Sequence, residues 1–474
     1  MPPSFGTSGL RGLVTELTDE LITDMVRAYL AACTHGGSVL VGWDLRDSSP
    51  AIAATVLQAL GAAGVQSIRA GAVPTPALAL AAAARGCGAI MVTGSHIPAD
   101  RNGLKFYTVT GEISKGDEAA ILAAANRHWP DVPPLPSVIE APETLPAYVA
   151  RYVSAYGPKA LTGLRIGVYQ HSSVARDVLV DVLAGLGAVP VALARADHFI
   201  PVDTEAVAPE TRAQLAEWCR VHQLDALVST DGDGDRPLLC DAQGQVVPGD
   251  VLGVLTARAL GADVVCTPVS SNSMVEMIPA FTDVRRTRIG SPHVIAAIDA
   301  ALAADPSAKV VGYEANGGFL LGFAAQGPSG TLPPLMTRDC LLPVIAPLAA
   351  AHGTGRGLAR MVQDLPARFT AADRLQGIPT EASTALIARL SRDADARARF
   401  FDTGAPEEAL DLTDGLRVRF AGGRIVHLRP SGNAPECRCY AEAPSAAEAE
   451  QLLAKHMGRL RDALSPQSRM KANR

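Results

Sequence analysis

Ala226-Leu227-Val228-Ser229 runs almost directly into Asp231-Gly232-Asp233-Gly234-Asp235-Arg236. A short apolar run that stops at glycines and acids predicts a buried strand with a loop at its end. Three carboxylates at alternate positions can converge on one hard cation, and oxygen ligands of this kind suit Mg²⁺. The glycines allow the tight backbone that convergence needs. Arg236 can balance charge or meet a phosphate. An EF-hand does not fit, because Arg236 and Ala242 stand where its loop needs Gly and Glu. The bland alternative is a solvated acidic turn, which three clustered carboxylates straight after a buried strand disfavour without a cation.

Similar apolar runs recur at 38–43, 89–93, 164–169, 264–267 and 309–312, and helical patterns at 52–60, 176–186, 211–222 and 291–304 lie between them. Strand and helix in alternation argue for repeated α/β layers. The 474 residues correspond to about three or four domains. Pro130, Pro133, Pro134, Pro136, Pro142 and Pro146 predict a linker near 140, with softer breaks at Pro248-Gly249-Asp250 and near Pro366. The C-terminal segment differs. Strands at 417–420 and 424–428 flank Gly422-Gly423, and a helix follows from Ser445. Ser445 and Glu448 form a capping-box signature, and Leu452, His456, Met457 and Leu460 share one face. Residues 469–474 form a polar basic tail. The expected fold is α/β with four domains at 1–142, 143–250, 251–365 and 366–474. The first three are α/β and the last is a smaller α+β unit.

Composition narrows the function. The net charge of −6 and the 4% of aromatic residues argue against a basic groove or stacking platform for nucleic acid. The eight cysteines are scattered and no pair has CxxC spacing, so they read as buried free thiols, not a disulfide framework or zinc site. No signal-peptide pattern and no membrane-length apolar run is present, which gives the expectation of a cytoplasmic protein. No Lys follows a Gly, so no Walker A loop exists, and no GxGxxG follows a strand.

Four further segments carry chemistry. Thr93-Gly94-Ser95-His96-Ile97-Pro98 leaves the strand at 89–93, and Asn102-Gly103 predicts a tight turn that returns Lys105 towards Ser95. Ser95 beside His96 and Lys105 can serve as nucleophile or phosphate carrier. An ordinary loop is the alternative, and the absence of GxSxG weakens acyl transfer. Arg429-Pro430-Ser431-Gly432-Asn433, running on to Arg438, offers guanidinium forks, a hydroxyl and backbone N–H groups as an anion nest, or a plain turn with surface arginines. Glu314 and Asn316 in Gly312-Tyr313-Glu314-Ala315-Asn316-Gly317-Gly318 can hydrogen-bond vicinal sugar hydroxyls, or close a structural turn. Gly6-Thr7-Ser8-Gly9-Leu10-Arg11 opens the chain with an arginine within reach of an anion.

Taken together and in this order, the five segments resemble the α-D-phosphohexomutase superfamily over nearly the whole chain. The resemblance implies four domains around a central cleft, each contributing one loop. It implies that Ser95 is the phosphoserine and that Asp231, Asp233 and Asp235, with the phosphoryl group on Ser95, hold Mg²⁺. Arg11 and Lys105 would assist proton transfer, with His96 beside the phosphoserine and Arg236 supporting. Glu314 and Asn316 would contact the sugar. Arg429, Ser431, Gly432, Asn433 and Arg438 would hold the phosphate that is not reacting. The implied partners are small sugar phosphates, with hexose 1,6-bisphosphate as intermediate and activator, and no nucleic acid or membrane; the oligomeric state is left open.

The resemblance has departures. Ile97 stands where Asn is usual, Asn433-Ala434 where Thr-Glu is usual, and Gly318 where a His is often found, which leaves one acid/base contribution unassigned. The expected activity is phosphomannomutase, with phosphoglucomutase activity beside it. Phosphoglucosamine mutase ranks lower because Ser8 replaces its usual Asp. A non-catalytic sugar-phosphate-binding paralogue is the alternative outside enzymes. A phosphatase using Asp231 is weakened by Asp235, where Thr or Val would be expected.

Overall fold

The apolar runs become the central strands of three mixed sheets. The computed structural model describes residues 3–6, 9–129, 132–135, 137–431 and 435–465. In the first sheet Gly88–Val92, Ser38–Trp43, Gln66–Ala72 and Val138–Glu140 run parallel, and Arg101–Thr108 and Leu10–Leu13 join antiparallel on the other side. The second places Val189–Arg195, Arg165–His171 and Ala226–Thr230 in parallel beside antiparallel Pro237–Cys240. The third repeats the plan with Asp283–Thr287, Val264–Pro268 and Val310–Tyr313 parallel, then Phe319–Leu321 and Leu335–Asp339 antiparallel. Fully buried strands of this kind read as continuous apolar runs. In each unit a functional loop lies where the last parallel strand turns back into its antiparallel neighbour.

The second and third sheets share one core, which includes Val168, Leu179, Val228, Leu252, Leu255, Val311 and Ile345. Pro248 and Gly249 therefore do not make a loose break. Gly249 begins the helix Gly249–Ala259, which is buried along nearly its whole length. Gly253 lets that helix lie on Tyr313, since a Cβ there would meet the ring at 2.3 Å. The proline-rich stretch near 140 is likewise not a free linker. It carries the edge strand Val138–Glu140, and Leu135 N–H donates to the Gly61 carbonyl at 2.8 Å.

The fourth sheet is antiparallel throughout, in the order Phe369–Gln376, Glu436–Ala443, Arg424–Pro430, Leu416–Phe420, Glu407–Asp411. Gly422 and Gly423, at φ +80 and +74, make its tight hairpin. The helices Thr380–Arg392 and Ala446–Ala463 cover one face with Leu386, Leu390, Leu452 and Leu460. Ser445 caps the second helix by accepting Glu448 N–H at 3.3 Å, but the Glu448 carboxylate turns to Arg424, so the capping box is half formed. The other face meets the third unit: Arg419 pairs with Glu276 at 2.6 Å, and Asp414 accepts Ile289 N–H at 3.0 Å. No helix among the described residues is long and apolar enough to cross a membrane.

Candidate active site

Ser95 sits just beyond Gly88–Val92 with φ +54, a left-handed conformation costly for a non-glycine residue, and its side chain is buried. The surrounding structure over-determines it. Ser95 N–H donates to Thr93 Oγ1 at 2.7 Å, and Ser95 C=O accepts from Arg46 at 2.9 Å. Arg46 also donates to the carbonyls of Ile97, Pro98 and Arg101 at 2.6, 2.6 and 2.9 Å. Its charge is met by Asp44 at 3.2 Å, and its guanidinium lies over the Phe199 ring, 4.0 Å from the centroid. Residue 94 must be glycine, because a Cβ there would lie 2.6 Å from Arg46 Cζ. Asn102-Gly103 is not the expected turn. Both residues lie inside the strand Arg101–Thr108, and residues 96–100 make the reversal. Lys105 does return, opposite Met91 on the strand that leads to Ser95.

The acid loop supplies the other wall. Each carboxylate there has one oxygen committed to the protein. Asp231 Oδ1 accepts the N–H groups of Asp235 and Arg236 at 3.2 and 3.3 Å. Asp233 Oδ2 accepts Thr75 Oγ1 and Lys105 Nζ, both at 2.6 Å. Asp235 Oδ2 accepts Lys105 Nζ at 2.7 Å and lies 2.8 Å from Arg338 Nη2. The remaining oxygens of Asp233 and Asp235 are buried without a hydrogen-bond partner, that of Asp235 lying 3.6 Å from Arg236 Nε, and Asp231 Oδ2 accepts the Ser95 hydroxyl at 2.6 Å. One ligand atom from each of the three lies within 4.8 Å of the others. Two orphaned carboxylate oxygens beside a hydroxyl-bound third fit a hard divalent cation. Burial, then Asp233 and Asp235, push Asp231 well above the usual carboxylate range. Burial acts the same way on Asp233, but Lys105, the Thr75 hydroxyl and Arg338 together outweigh it and hold that carboxyl low.

His96 lies 3.3 Å from Ser95 Oγ, and its Nδ1 is 2.9 Å from Arg236 Nη1. Burial, then Arg236 and Arg11, lower it to about 2, so it is a neutral imidazole. Arg11 faces Gly103 across the sheet, on the face that carries Lys105. Burial, then Arg236 and Arg338, lower Arg11 to about 10.

The third unit adds Glu314, whose Oε2 accepts Arg338 Nη1 at 3.1 Å. Asn316 uses Oδ1 to accept Gly318 N–H at 3.0 Å and so closes its own turn. Thr204 Oγ1 donates to the Asn316 carbonyl at 3.2 Å, which rests the turn at 203–205 on this loop. Glu205 there is exposed. The surrounding protein, then Asp203, raises it to about 7 against the pull of Arg236 and Arg438. On the fourth sheet Arg429 pairs with Asp414 at 3.0 Å, and Arg438 faces it across the strands. Ser431 N–H donates to the Glu436 carbonyl at 2.9 Å, while Gly432 and Asn433 lie outside the described residues.

Family models described as phosphoglucomutase/phosphomannomutase match this chain: alpha/beta/alpha domain I at residues 2–129, domain II at 146–244 and the C-terminal domain at 380–457. A phosphomannomutase of Sinorhizobium fredii is 43% identical over 98% of this chain and 100% of its own length. The chain belongs to the α-D-phosphohexomutase superfamily. A phosphomannomutase of Salmonella muenchen is 44% identical over 94% of this chain and 93% of its own. Phosphoglucosamine mutases match at lower identity, from 26% to 32%. A solved phosphoglucomutase/phosphomannomutase family protein from Burkholderia thailandensis shares the fold, with a TM-score of 0.75 at 22% identity over 96% of this chain and 97% of its own.

In this phosphohexomutase fold Ser95, His96, Lys105, Asp231, Asp233, Asp235 and Arg236 come together, and Glu314 joins them through Arg338. Four residues of the site escaped the sequence reading. Arg46 carried a signal in Asp44-x-Arg46 directly after a buried strand. Thr75, Glu205 and Arg338 carried none, because each meets the site only through the tertiary fold.

Proposed function

We propose that this phosphohexomutase interconverts hexose 1-phosphate and hexose 6-phosphate through a phosphoserine at Ser95 and a hexose 1,6-bisphosphate. Mannose phosphate is the sugar we assign first, with glucose phosphate beside it. The observation that carries the reading is the buried Ser95 hydroxyl, 2.6 Å from Asp231 and braced through its backbone, with Oγ left for chemistry. Two full-length relatives named phosphomannomutase support mannose over glucosamine.

Asp231, Asp233 and Asp235, with a phosphoryl oxygen on Ser95, would hold Mg²⁺, which when bound offsets the charge of the transferring phosphoryl group. A sugar hydroxyl oxygen forms a bond to phosphorus as the bond from Ser95 Oγ breaks. The hydroxyl proton ends on Ser95 Oγ, so the step is balanced. Arg11, which burial and then Arg236 and Arg338 lower to about 10, assists that passage. Lys105 Nζ lies 2.6 and 2.7 Å from Asp233 and Asp235 and orients both. Neutral His96 and Arg236 flank the phosphoserine. Glu314 and Asn316 take sugar hydroxyls. Arg429, Ser431, Gly432, Asn433 and Arg438 hold the distal phosphate while the bisphosphate turns end for end, and Ser95 then takes back the other phosphate. The eight buried free cysteines suit a reducing compartment, and we place the enzyme in the cytoplasm.

³¹P NMR of the protein with mannose 1-phosphate, Mg²⁺ and a trace of hexose 1,6-bisphosphate tests this. The expected result is mannose 6-phosphate without free phosphate. Preferential turnover of glucosamine 1-phosphate would reassign the sugar. No conversion of mannose, glucose or glucosamine 1-phosphate would mean a binding protein on this fold.

A further inference from the structure

Arg338 is the penultimate residue of the strand Leu335–Asp339 and is 3% exposed. Its guanidinium spans two loops: Nη2 lies 2.8 Å from Asp235 in the acid loop, and Nη1 donates to Glu314 Oε2 in the sugar loop at 3.1 Å. Its stem runs along Gly318. A Cβ at residue 318 would lie 2.7, 2.8 and 3.0 Å from Arg338 Cδ, Cγ and Cβ, so glycine is the clearance that admits the arginine. The next residue fixes the strand end, because Asp339 accepts the Tyr148 hydroxyl at 2.5 Å and Leu341 N–H at 3.0 Å.

Glu314 is buried, and Oε1 takes no hydrogen bond among the described residues. A carboxylate with one oxygen pinned by a cation and the other free accepts hydrogen bonds from neutral hydroxyls in a fixed direction. The same cation offsets the attraction an unpaired carboxylate would exert on an ammonium group, and in a poorly solvated cleft that offset is strong.

We propose that Arg338 is a positioning residue that sets sugar specificity: it aims Glu314 at hydroxyls of hexose phosphates whose ring carries no amino group and disfavours sugars bearing a 2-ammonium group. The proposal rests on the phosphohexomutase reading above and names the substrate class of that site. It accounts for selection of neutral sugars by a device independent of the phosphate loop.

The experiment compares mannose 1-phosphate and glucosamine 1-phosphate on wild type, Arg338→Met and Arg338→Lys, with calorimetric binding of mannose 6-phosphate and glucosamine 6-phosphate to the same proteins. For Arg338→Met, kcat/KM on mannose 1-phosphate should fall about 100-fold, chiefly through KM, as a buried charge pair loses one member. The ratio of glucosamine to mannose efficiency should rise by about tenfold or more, with the binding ratio following. Arg338→Lys keeps the charge, so its ratio should stay within about threefold of wild type. A purely structural role would depress both sugars equally, and an unmoved ratio in folded Arg338→Met overturns the proposal. If that variant does not fold, Gly318→Ala serves in its place: its new methyl displaces the arginine stem, and it should move the ratio the same way. A wild type that turns over none of the sugar phosphates overturns the functional reading itself; an active wild type with unmoved variant ratios overturns only the role of Arg338.

Discussion

The loops at 93–98 and 231–236 leave equivalent corners of two similar sheets, yet they are held by opposite means. The serine loop is clamped from outside. Arg46 gathers the carbonyls of Ser95, Ile97, Pro98 and Arg101, and the Ser95 backbone is strained at φ +54. The acid loop closes partly on itself, since Asp231 accepts the N–H groups of Asp235 and Arg236 and Gly234 takes the left-handed position, φ +66, at no steric cost, while Thr75, Lys105 and Arg338 hold the carboxylates of Asp233 and Asp235. The difference follows from what each loop must leave free. A nucleophile held through its main chain keeps its side chain available. A ligand set needs its side chains fixed, and here one oxygen of each carboxylate is spent on fixing it.

Three substitutions break that contrast in order of size. Ser95→Ala removes the phosphoryl carrier but none of the backbone clamp. Turnover should fall by about four orders of magnitude or more, while the melting temperature stays within about 2 °C. Near-normal rates in a folded variant would show that Ser95 does not carry the phosphate. Arg46→Met removes the clamp and leaves Asp44 buried without its cation. It should cost about 3–5 kcal/mol in denaturant unfolding and lower turnover although Ser95 is present. A loss of stability below about 1 kcal/mol would mean that the loop holds itself. Asp233→Asn attacks the acid loop. It removes one ligand charge and half of the Lys105 tie, so the rate should fall about 100-fold and half-saturation with Mg²⁺ should move to higher concentration. An unchanged Mg²⁺ titration would take Asp233 out of the ligand set.

The same contrast explains what was legible in the sequence. The acid loop could be read because its three ligands lie within five residues; the groups that brace Asp233 and Asp235, namely Thr75, Lys105 and Arg338, could not be read there. The central strands could be read because burial on both faces leaves them mostly apolar, with polar residues such as Ser229 and Thr267 towards their ends. The clamp on Ser95 could not, since Arg46 lies about fifty residues away and nothing in Asp44-x-Arg46 names its four carbonyl partners. Asn102-Gly103 misled for a physical reason. Its turn propensity yields to pairing with Leu10–Leu13, where a Cβ on Gly103 would meet the Leu10 carbonyl at 2.1 Å, so the glycine serves close strand approach. The prolines near 140 were legible as a break in helix and strand patterns but not as the approach to an edge strand, which depends on a partner at 66–72.

Glu205 offers the mildest test, because it belongs to neither loop and yet feels both the serine side of the cleft, through Arg236, and the phosphate side, through Arg438. The surrounding protein and Asp203 raise its pKa to about 7 although the side chain is exposed. Above that pH a carboxylate competes with incoming phosphate for the two guanidinia; below it the competition is gone. KM for mannose 1-phosphate should therefore rise as pH increases from 6 to 8 beyond what the substrate's own ionisation explains. Glu205→Gln should remove that excess and lower KM about threefold at pH 8, a modest change because the side chain is open to solvent. Stability moves with the same sign. The folded pKa lies above the unfolded value of about 4.3, so the contribution present below that value is lost as pH rises through about 7, and Glu205→Gln should flatten the loss. Identical pH profiles for the two proteins would remove Glu205 from the cleft's electrostatics and leave the two loops to set its charge alone.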